Sequence, residues 1–135
     1  MPIVTWRDEY NINVEQLDSQ HQKMLEIVNH LHAAVEAREN KSVLRDMLVE
    51  LAEFTRVHFS TEEELMSEYS FPAFDDHQIQ HRLLLQHLDD LAAAVSIGKH
   101  PTFYSDYDVS TDWALVHISE YDKSLGLFLN SKGIF

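Results

Sequence analysis

Histidines and acids at helical spacing are the residues of this sequence that are equipped for chemistry. His77 and His81 lie four residues apart, and His58 and Glu62 repeat that spacing. Residues four apart project from the same side of a helix, so each pair can present two ligand atoms to one ion. Imidazole and carboxylate ligands suit a borderline transition metal better than a soft one. The two pairs therefore point to metal binding.

The same residues interrupt the apolar stripes of four predicted helices. His21 falls on the first stripe and His117 on the fourth, while the two pairs fall on the second and third. A buried polar group without a partner costs about 1–3 kcal/mol. One core histidine is commonly satisfied by a neighbouring backbone group, but six ionisable residues on four stripes must satisfy each other or share a cation. The sequence predicts that they converge in the core.

Sparse helix breakers and apolar periodicity predict the elements that carry these residues. The chain has three prolines and three glycines, and most fall between or beyond long periodic stretches. The pattern predicts an extended arm over residues 1–17 and helices over residues 18–38, 42–68, 75–97 and 106–129. Helices of about 20 residues with short connections favour an all-α, up-down-up-down antiparallel four-helix bundle. We expect one domain over residues 1–135.

Cap residues set the expected helix starts. Asp18 or Ser19 is expected to cap the first helix, Ser42 the second and Asp75 the third. In the bundle, the starts of the first and third helices lie beside the ends of the second and fourth, so the six ionisable residues can share one layer. His21 lies close to its helix start. Either that helix begins earlier or the helices are staggered.

The amino-acid composition excludes several classes of partner and of chemistry. Ten basic against 23 acidic residues give a net charge of −13, which disfavours nucleic acid and anionic lipid as partners. The absence of cysteine excludes disulfides, iron–sulfur ligation and thiol catalysis. No apolar run predicts a membrane span and no signal peptide is recognised, so we expect a cytoplasmic protein. A single core accounts for the apolar residues, so we expect a monomer.

A carboxylate on the fourth helix is also expected, because two metal ions need bridging charge. Glu120 and Asp122 are the candidates. Periodicity favours Glu120, which lies three residues after His117. Asp122 lies five residues after His117, which is on the wrong side of a regular helix unless a π-turn brings it round.

At this point the sequence resembles the hemerythrins, specifically the single-domain bacterial ones, over nearly the whole chain. The motifs are Asp18-Ser19-Gln20-His21, His58-Phe59-Ser60-Thr61-Glu62, His77-xxx-His81 and Trp113-xxx-His117-Ile118-xxx-Asp122. All seven ligand positions of the family pattern are filled in order. The resemblance selects Asp122 instead of Glu120, and so predicts a helix irregularity between His117 and Asp122.

The resemblance implies a non-haem di-iron site that binds O2. It assigns one iron to His77, His81 and His117, the other iron to His21 and His58, and the bridge to Glu62 and Asp122 with an oxo or hydroxo group. The second iron would keep an open position for O2. The implied function is reversible O2 binding for storage, transport or delivery to an oxygen-consuming enzyme. The alternatives are a di-iron enzyme (an oxidase, peroxidase or nitric-oxide-handling protein) and an O2 or redox sensor module.

Side chains beside the ligands are expected to wall the O2 pocket. They are Met24, Leu25, Phe59, Trp113 and Ala114. The family commonly has a large apolar residue at the position of Ala114, so a cavity or solvent path is expected there. Outside the ligand set, Glu63 and Glu64 are expected to form a solvated face. The remaining histidines, His30, His32, His87 and His100, match no ligand position.

Overall fold

The computed structural model describes residues 5–98 and 117–135, and all regular structure in them is helical. The elements are a short 3-10 helix Asp8–Tyr10, α1 Glu15–Glu36, α2 Lys41–Glu68, α3 Phe74–Ser96, a π-helical turn Ile118–Asp122 and α4 Lys123–Ser131. The predicted all-α four-helix bundle is confirmed. The first part of the expected fourth helix, with Trp113 and Ala114, lies outside the described residues. None of the described helices is both long and apolar enough to cross a membrane.

Side-chain contacts between α2 and α3 show that the helices run antiparallel. Near the end of α2, Glu63 accepts a hydrogen bond from Gln78 near the start of α3, at 2.8 Å. Seven residues earlier in α2, Arg56 pairs with Asp89, eleven residues later in α3, at 3.2 Å. The end of α2 therefore lies beside the start of α3, as expected for helices joined by a short connection.

The first helix begins three residues before its expected start. Val14 precedes α1 without a side-chain capping bond. Asp18 instead accepts hydrogen bonds from the backbone N–H groups of Ile12, at 2.8 Å, and Asn13, at 3.1 Å. Asn13 has a positive φ of 63°, so Asp18 stabilises a tight turn in the arm and does not cap the helix. The earlier start places the α1 histidine of the predicted site inside regular helix.

The caps of the next two helices also differ from expectation. Asn40 caps α2 by accepting a hydrogen bond from the backbone N–H of Val43, at 3.0 Å, so Ser42 is not the cap. Ala73 precedes α3 without a side-chain capping bond, and Asp75 lies in the first turn. A carboxylate there still stabilises the helix through its dipole.

Two apolar clusters fill the described part of the bundle. One joins α1, α2 and α3 and includes Leu31, Leu48 and Leu88. The other joins the arm, the start of α1, the end of α2 and α4, and includes Leu17 and Leu125. Burial of each such side chain is worth about 1.5–3 kcal/mol. Along α1 and α3, the predicted ionisable residues fall between members of the two clusters, so apolar packing lies on both sides of their layer.

Gly126 allows the arm to pack closely on α4. A Cβ at this position would overlap the backbone carbonyl oxygen of Ile12 and lie 2.8 Å from its Cβ. This backbone approach explains a glycine inside a helix, where it otherwise costs about 1 kcal/mol relative to alanine.

We expect Gly126→Ala to destabilise the protein by about 1–3 kcal/mol, because overpacking against backbone outweighs the gain in helix propensity. Urea unfolding followed by circular dichroism measures the change. Ser124→Ala, at an exposed position of the same helix, is the matched control and should leave stability almost unchanged. A Gly126→Ala protein as stable as the control would show that the arm does not pack on Gly126.

Candidate metal centre

The seven predicted ligand residues lie together in one buried layer. They come from all four helical segments: His21 from α1, His58 and Glu62 from α2, His77 and His81 from α3, and His117 and Asp122 from the last segment. Each is between 0% and 6% exposed. Such burial of ionisable groups requires compensation by other charges.

The two oxygens of Glu62 face different histidines. Oε1 lies 2.9 Å from Nε2 of His81 and 3.2 Å from Nε2 of His77. Oε2 lies 3.0 Å from Nε2 of His58 and 3.4 Å from Nε2 of His21. A carboxylate that divides its oxygens in this way has the arrangement of a bridge between two ions.

Asp122 repeats this division from the other side of the layer. Its Oδ1 lies 3.0 Å from Nε2 of both His77 and His117, and its Oδ2 lies 2.9 Å from Nε2 of His21. The side chains thus form two groups that share both acids: His77, His81 and His117 in one, and His21 and His58 in the other. Within each group, one ligand atom per residue lies within 4.8 Å of all the others.

The π-helical turn Ile118–Asp122 explains how Asp122 enters this layer. In a regular helix, a residue five positions after His117 points about 140° away from it. The wider turn brings Asp122 back toward His117, while Glu120 is exposed. The predicted irregularity between His117 and Asp122 is confirmed, and the choice that periodicity favoured, Glu120, is wrong.

Several ligand atoms are close to one another without being hydrogen bonded. Nε2 of His21, His58 and His117, Oε2 of Glu62 and both Oδ atoms of Asp122 are buried and make no hydrogen bond within the described part of the chain. Buried polar atoms are normally paired, and an unpaired one costs about 1–3 kcal/mol. Imidazole nitrogens and carboxylate oxygens that converge in a buried layer match the requirements of cations, so the residues present fit a metal pair.

Both acids are ionised despite complete burial. Burial opposes the charge on Glu62, but His58, His21 and His77 outweigh it and hold its pKa well below the usual range. For Asp122, burial and the charge of Glu62 raise the pKa, but His117 and His21 outweigh them and lower it well below its usual range. The centre therefore carries two buried negative charges that require cations.

In the absence of metal, protons on the histidines supply part of that positive charge. Burial lowers the pKa of His21, but Asp122 and Glu62 outweigh it and raise the pKa to about 10. The same acids outweigh burial at His77 and raise its pKa to about 9. At neutral pH, metal binding must therefore displace protons from these two rings.

These shifts predict how the stability of the metal-free protein depends on pH. The pKa values of both histidines lie above 6.5, the ordinary value for histidine. Their protonation therefore contributes fully to the stability of the folded state below about pH 6.5, and this contribution is lost as pH rises through 9 to 10. We expect the free energy of unfolding to fall by on the order of a few kcal/mol over that range. Urea titrations at successive pH values measure it. His21→Gln should flatten the dependence, and the exposed His30→Gln should not; equal profiles for the two variants would contradict this origin.

Two outer contacts to the imidazoles were not predicted from the sequence. Oε1 of Gln20 lies 2.6 Å from Nδ1 of His58, and Oε2 of Glu63 lies 3.2 Å from Nδ1 of His81. Glu63 is partly buried, so its expected place on a solvated face is wrong. The sequence offers one signal for either residue, which is that Gln20 precedes the predicted ligand His21 and Glu63 follows the predicted ligand Glu62.

The expected wall residues that the structure describes are all buried. Met24, Leu25 and Phe59 are at most 3% exposed. The ring of Phe59 stacks on that of His81, with centroids 3.7 Å apart and planes 6° from parallel. That these side chains line an O2 pocket stays a prediction, as does the role of Trp113 and Ala114.

Comparison with known proteins adds to this geometry. The model of one protein family, described as the hemerythrin HHE cation binding domain, matches residues 13–126. The bacteriohemerythrin of Stenotrophomonas maltophilia (strain R551-3) is 29% identical over 99 residues, which are 73% of this chain and 64% of that protein. The bacteriohemerythrin of Methylococcus capsulatus (strain Bath) is 29% identical over 132 residues, 97% of this chain and 100% of that protein.

Solved structures show the same similarity in three dimensions. The crystal structure of a hemerythrin mutant has a TM-score of 0.81 and 30% identity, and the match covers 96% of this chain and 98% of that one. A second hemerythrin mutant has the same TM-score at 29% identity. The chain spans 64% of the length of several curated relatives that it matches.

Proposed function

The chain belongs to the hemerythrin family, and from this premise we propose that it binds dioxygen reversibly at a non-haem di-iron centre. The hemerythrin family binds a di-iron centre, and the buried cluster offers suitable His, Glu and Asp ligands. The observation that carries the proposal is the division of the oxygens of Glu62 and Asp122 between two histidine groups. A site for one ion would not need two buried acids that each face both groups.

We propose the following ligand assignment from that division. His77, His81 and His117 would hold one iron and His21 and His58 the other, and Glu62 and Asp122, which belong to both groups, would be shared between them together with an oxo or hydroxo group. The first set supplies five donor atoms and the second supplies four, counting one oxygen of each acid in each set. The set that contains His21 and His58 is therefore the one with room for an external ligand such as O2.

The residues around the centre favour binding over turnover. When bound at these residues, two ferrous ions would supply the two electrons that reversible binding of dioxygen requires. The two ionised acids neutralise part of the positive charge, and five imidazoles keep the ligand set less anionic than a carboxylate-rich one. Phe59, Met24 and Leu25 are buried, and as apolar side chains beside the ligands they would limit the access of water and protons to the centre. Reversible binding requires that exclusion.

We further propose that the bound oxygen is stored, transported or delivered. Storage, transport and delivery to an oxygen-consuming enzyme are all consistent with reversible binding at a buried site. The expected monomer and the expected cytoplasmic location stay predictions. The enzyme and sensor alternatives are also predictions, and the experiment below separates the enzyme from the binder.

Anaerobic loading with Fe(II), followed by iron counting and exposure to O2, tests the proposal. We expect two irons per chain and a visible absorption band that appears with O2 and disappears under argon over several cycles. His30→Gln, at an exposed histidine, should behave as the unmodified protein, while His21→Gln should not form the band. Fewer than two irons would overturn the site, and O2 consumption with a released product would favour the enzyme.

A further inference from the structure

Glu63 contacts the candidate metal centre without being one of its proposed ligands. Its Oε2 lies 3.2 Å from Nδ1 of His81, while Nε2 of His81 lies 2.9 Å from Oε1 of Glu62. An ionised carboxylate only accepts hydrogen bonds. A His81 ring that offers the lone pair of Nε2, on the side of the buried layer, to a metal therefore carries its proton on Nδ1 and can donate it to Glu63.

A short chain of hydrogen bonds holds Glu63 in this position. Its other oxygen, Oε1, accepts from Nε2 of Gln78 at 2.8 Å. Oε1 of Gln78 in turn accepts from Nη2 of Arg82 at 3.4 Å. Gln78, His81 and Arg82 follow each other at spacings of three and one on α3, so one face of that helix fixes both the carboxylate and the ring that it contacts. The side chain of Glu63 is 25% exposed.

The corresponding contact in the other histidine group carries no charge. There, the acceptor for Nδ1 of His58 is the neutral amide oxygen of Gln20, at 2.6 Å. A carboxylate acceptor draws the N–H proton more strongly than an amide does and makes the imidazole a stronger donor to a metal. His81 is therefore supported by an anion and His58 by a dipole.

We propose that Glu63 is a positioning residue that fixes the ring and the Nδ1 proton of His81 and strengthens this histidine as a metal ligand. The inference rests on the proposed function, because it requires a metal in the set formed by His77, His81 and His117. It predicts an asymmetric centre, in which the metal of that set is held more tightly and its oxidised state is favoured. Loss of such an outer contact typically costs 10–100-fold in metal affinity.

Two substitutions separate the charge of Glu63 from its hydrogen bond. Glu63→Gln keeps an acceptor for Nδ1 but removes the charge, whereas Glu63→Leu removes both. Glu64→Gln removes a charge from the adjacent, exposed residue and is the matched control. Competition with a chromophoric chelator, with Zn(II) as the redox-inactive probe, measures the affinity of the two binding steps.

We expect one of the two Zn(II) binding steps to weaken about 10–100-fold in Glu63→Leu and less in Glu63→Gln, with no change in Glu64→Gln. The ¹⁵N NMR signals of His81 in the Zn(II)-loaded protein should keep the Nδ1–H tautomer in Glu63→Gln. The midpoint potential of the iron-loaded protein should rise in both Glu63 variants, which a packing role would not cause.

Unchanged affinity and potential in both Glu63 variants would overturn this inference and leave the proposed function intact. If the unmodified protein binds fewer than two Zn(II) and fewer than two Fe(II), the proposed centre fails and this inference fails with it. The two failures are therefore distinguishable.

Discussion

Replacement of Glu62 by glutamine is expected to abolish the loading of two metals per chain. Each Glu62 oxygen faces a different histidine group, and an amide would present one oxygen and one N–H₂ group in their place. An N–H₂ group cannot bind a cation, and the substitution also removes one of the two buried negative charges. The loss in affinity should exceed the 10–100-fold that removal of an outer contact typically costs.

Iron counting after anaerobic loading and gel filtration measures this effect. Glu64→Gln makes the same chemical change two residues later, at an exposed position, and should retain two irons. Circular dichroism of the metal-free proteins should show the same helix content for both variants, because glutamine preserves the shape of Glu62. A Glu62→Gln protein that retains two irons with unchanged affinity would refute the bridging role.

Metal removal is the second change with a large expected effect. Without metal, the buried layer holds two ionised acids and several atoms that lack a hydrogen bond among the described residues. A ligand at a hundredfold excess over its dissociation constant stabilises the folded state by about 2.7 kcal/mol per site. For a domain of this size, we expect loading with Fe(II) to raise the Tm by on the order of 10 °C.

Thermal unfolding under anaerobic conditions, with and without Fe(II), tests this expectation. A chelator should reverse the gain, and Glu62→Gln should show almost none of it. An identical Tm for the loaded and metal-free proteins would mean that the buried cluster does not bind Fe(II) in its folded state.

The position of the centre explains why the fold tolerates so many buried ionisable residues. Along α1 and α3, apolar clusters lie on both sides of the layer, and packing such as that of Leu48 and Leu125 stabilises the bundle on either side of it. The layer between them is the costly part of the core, and bound metal would offset that cost.

The sequence by itself determined the helical class, the number of helices and most of the candidate ligands. Apolar periodicity is a local property, and histidines that interrupt it, such as His77 and His81, are visible without any structure. The resemblance also selected Asp122, which periodicity would have rejected. Where a helix is regular, the spacing of residues in the sequence is enough to predict which side of the helix they share.

The tertiary structure decided what depends on contacts between distant segments. It assigns Asp18 to the turn of the arm and Gly126 to a close backbone approach, and it brings Glu63 against His81. The division of the Glu62 oxygens between two histidine groups also becomes visible only in three dimensions. The physical reason is that helical periodicity fixes the direction of a side chain around its own helix axis. Which atom it meets is fixed by the register and rotation of the neighbouring helices, and these follow from packing of the whole core.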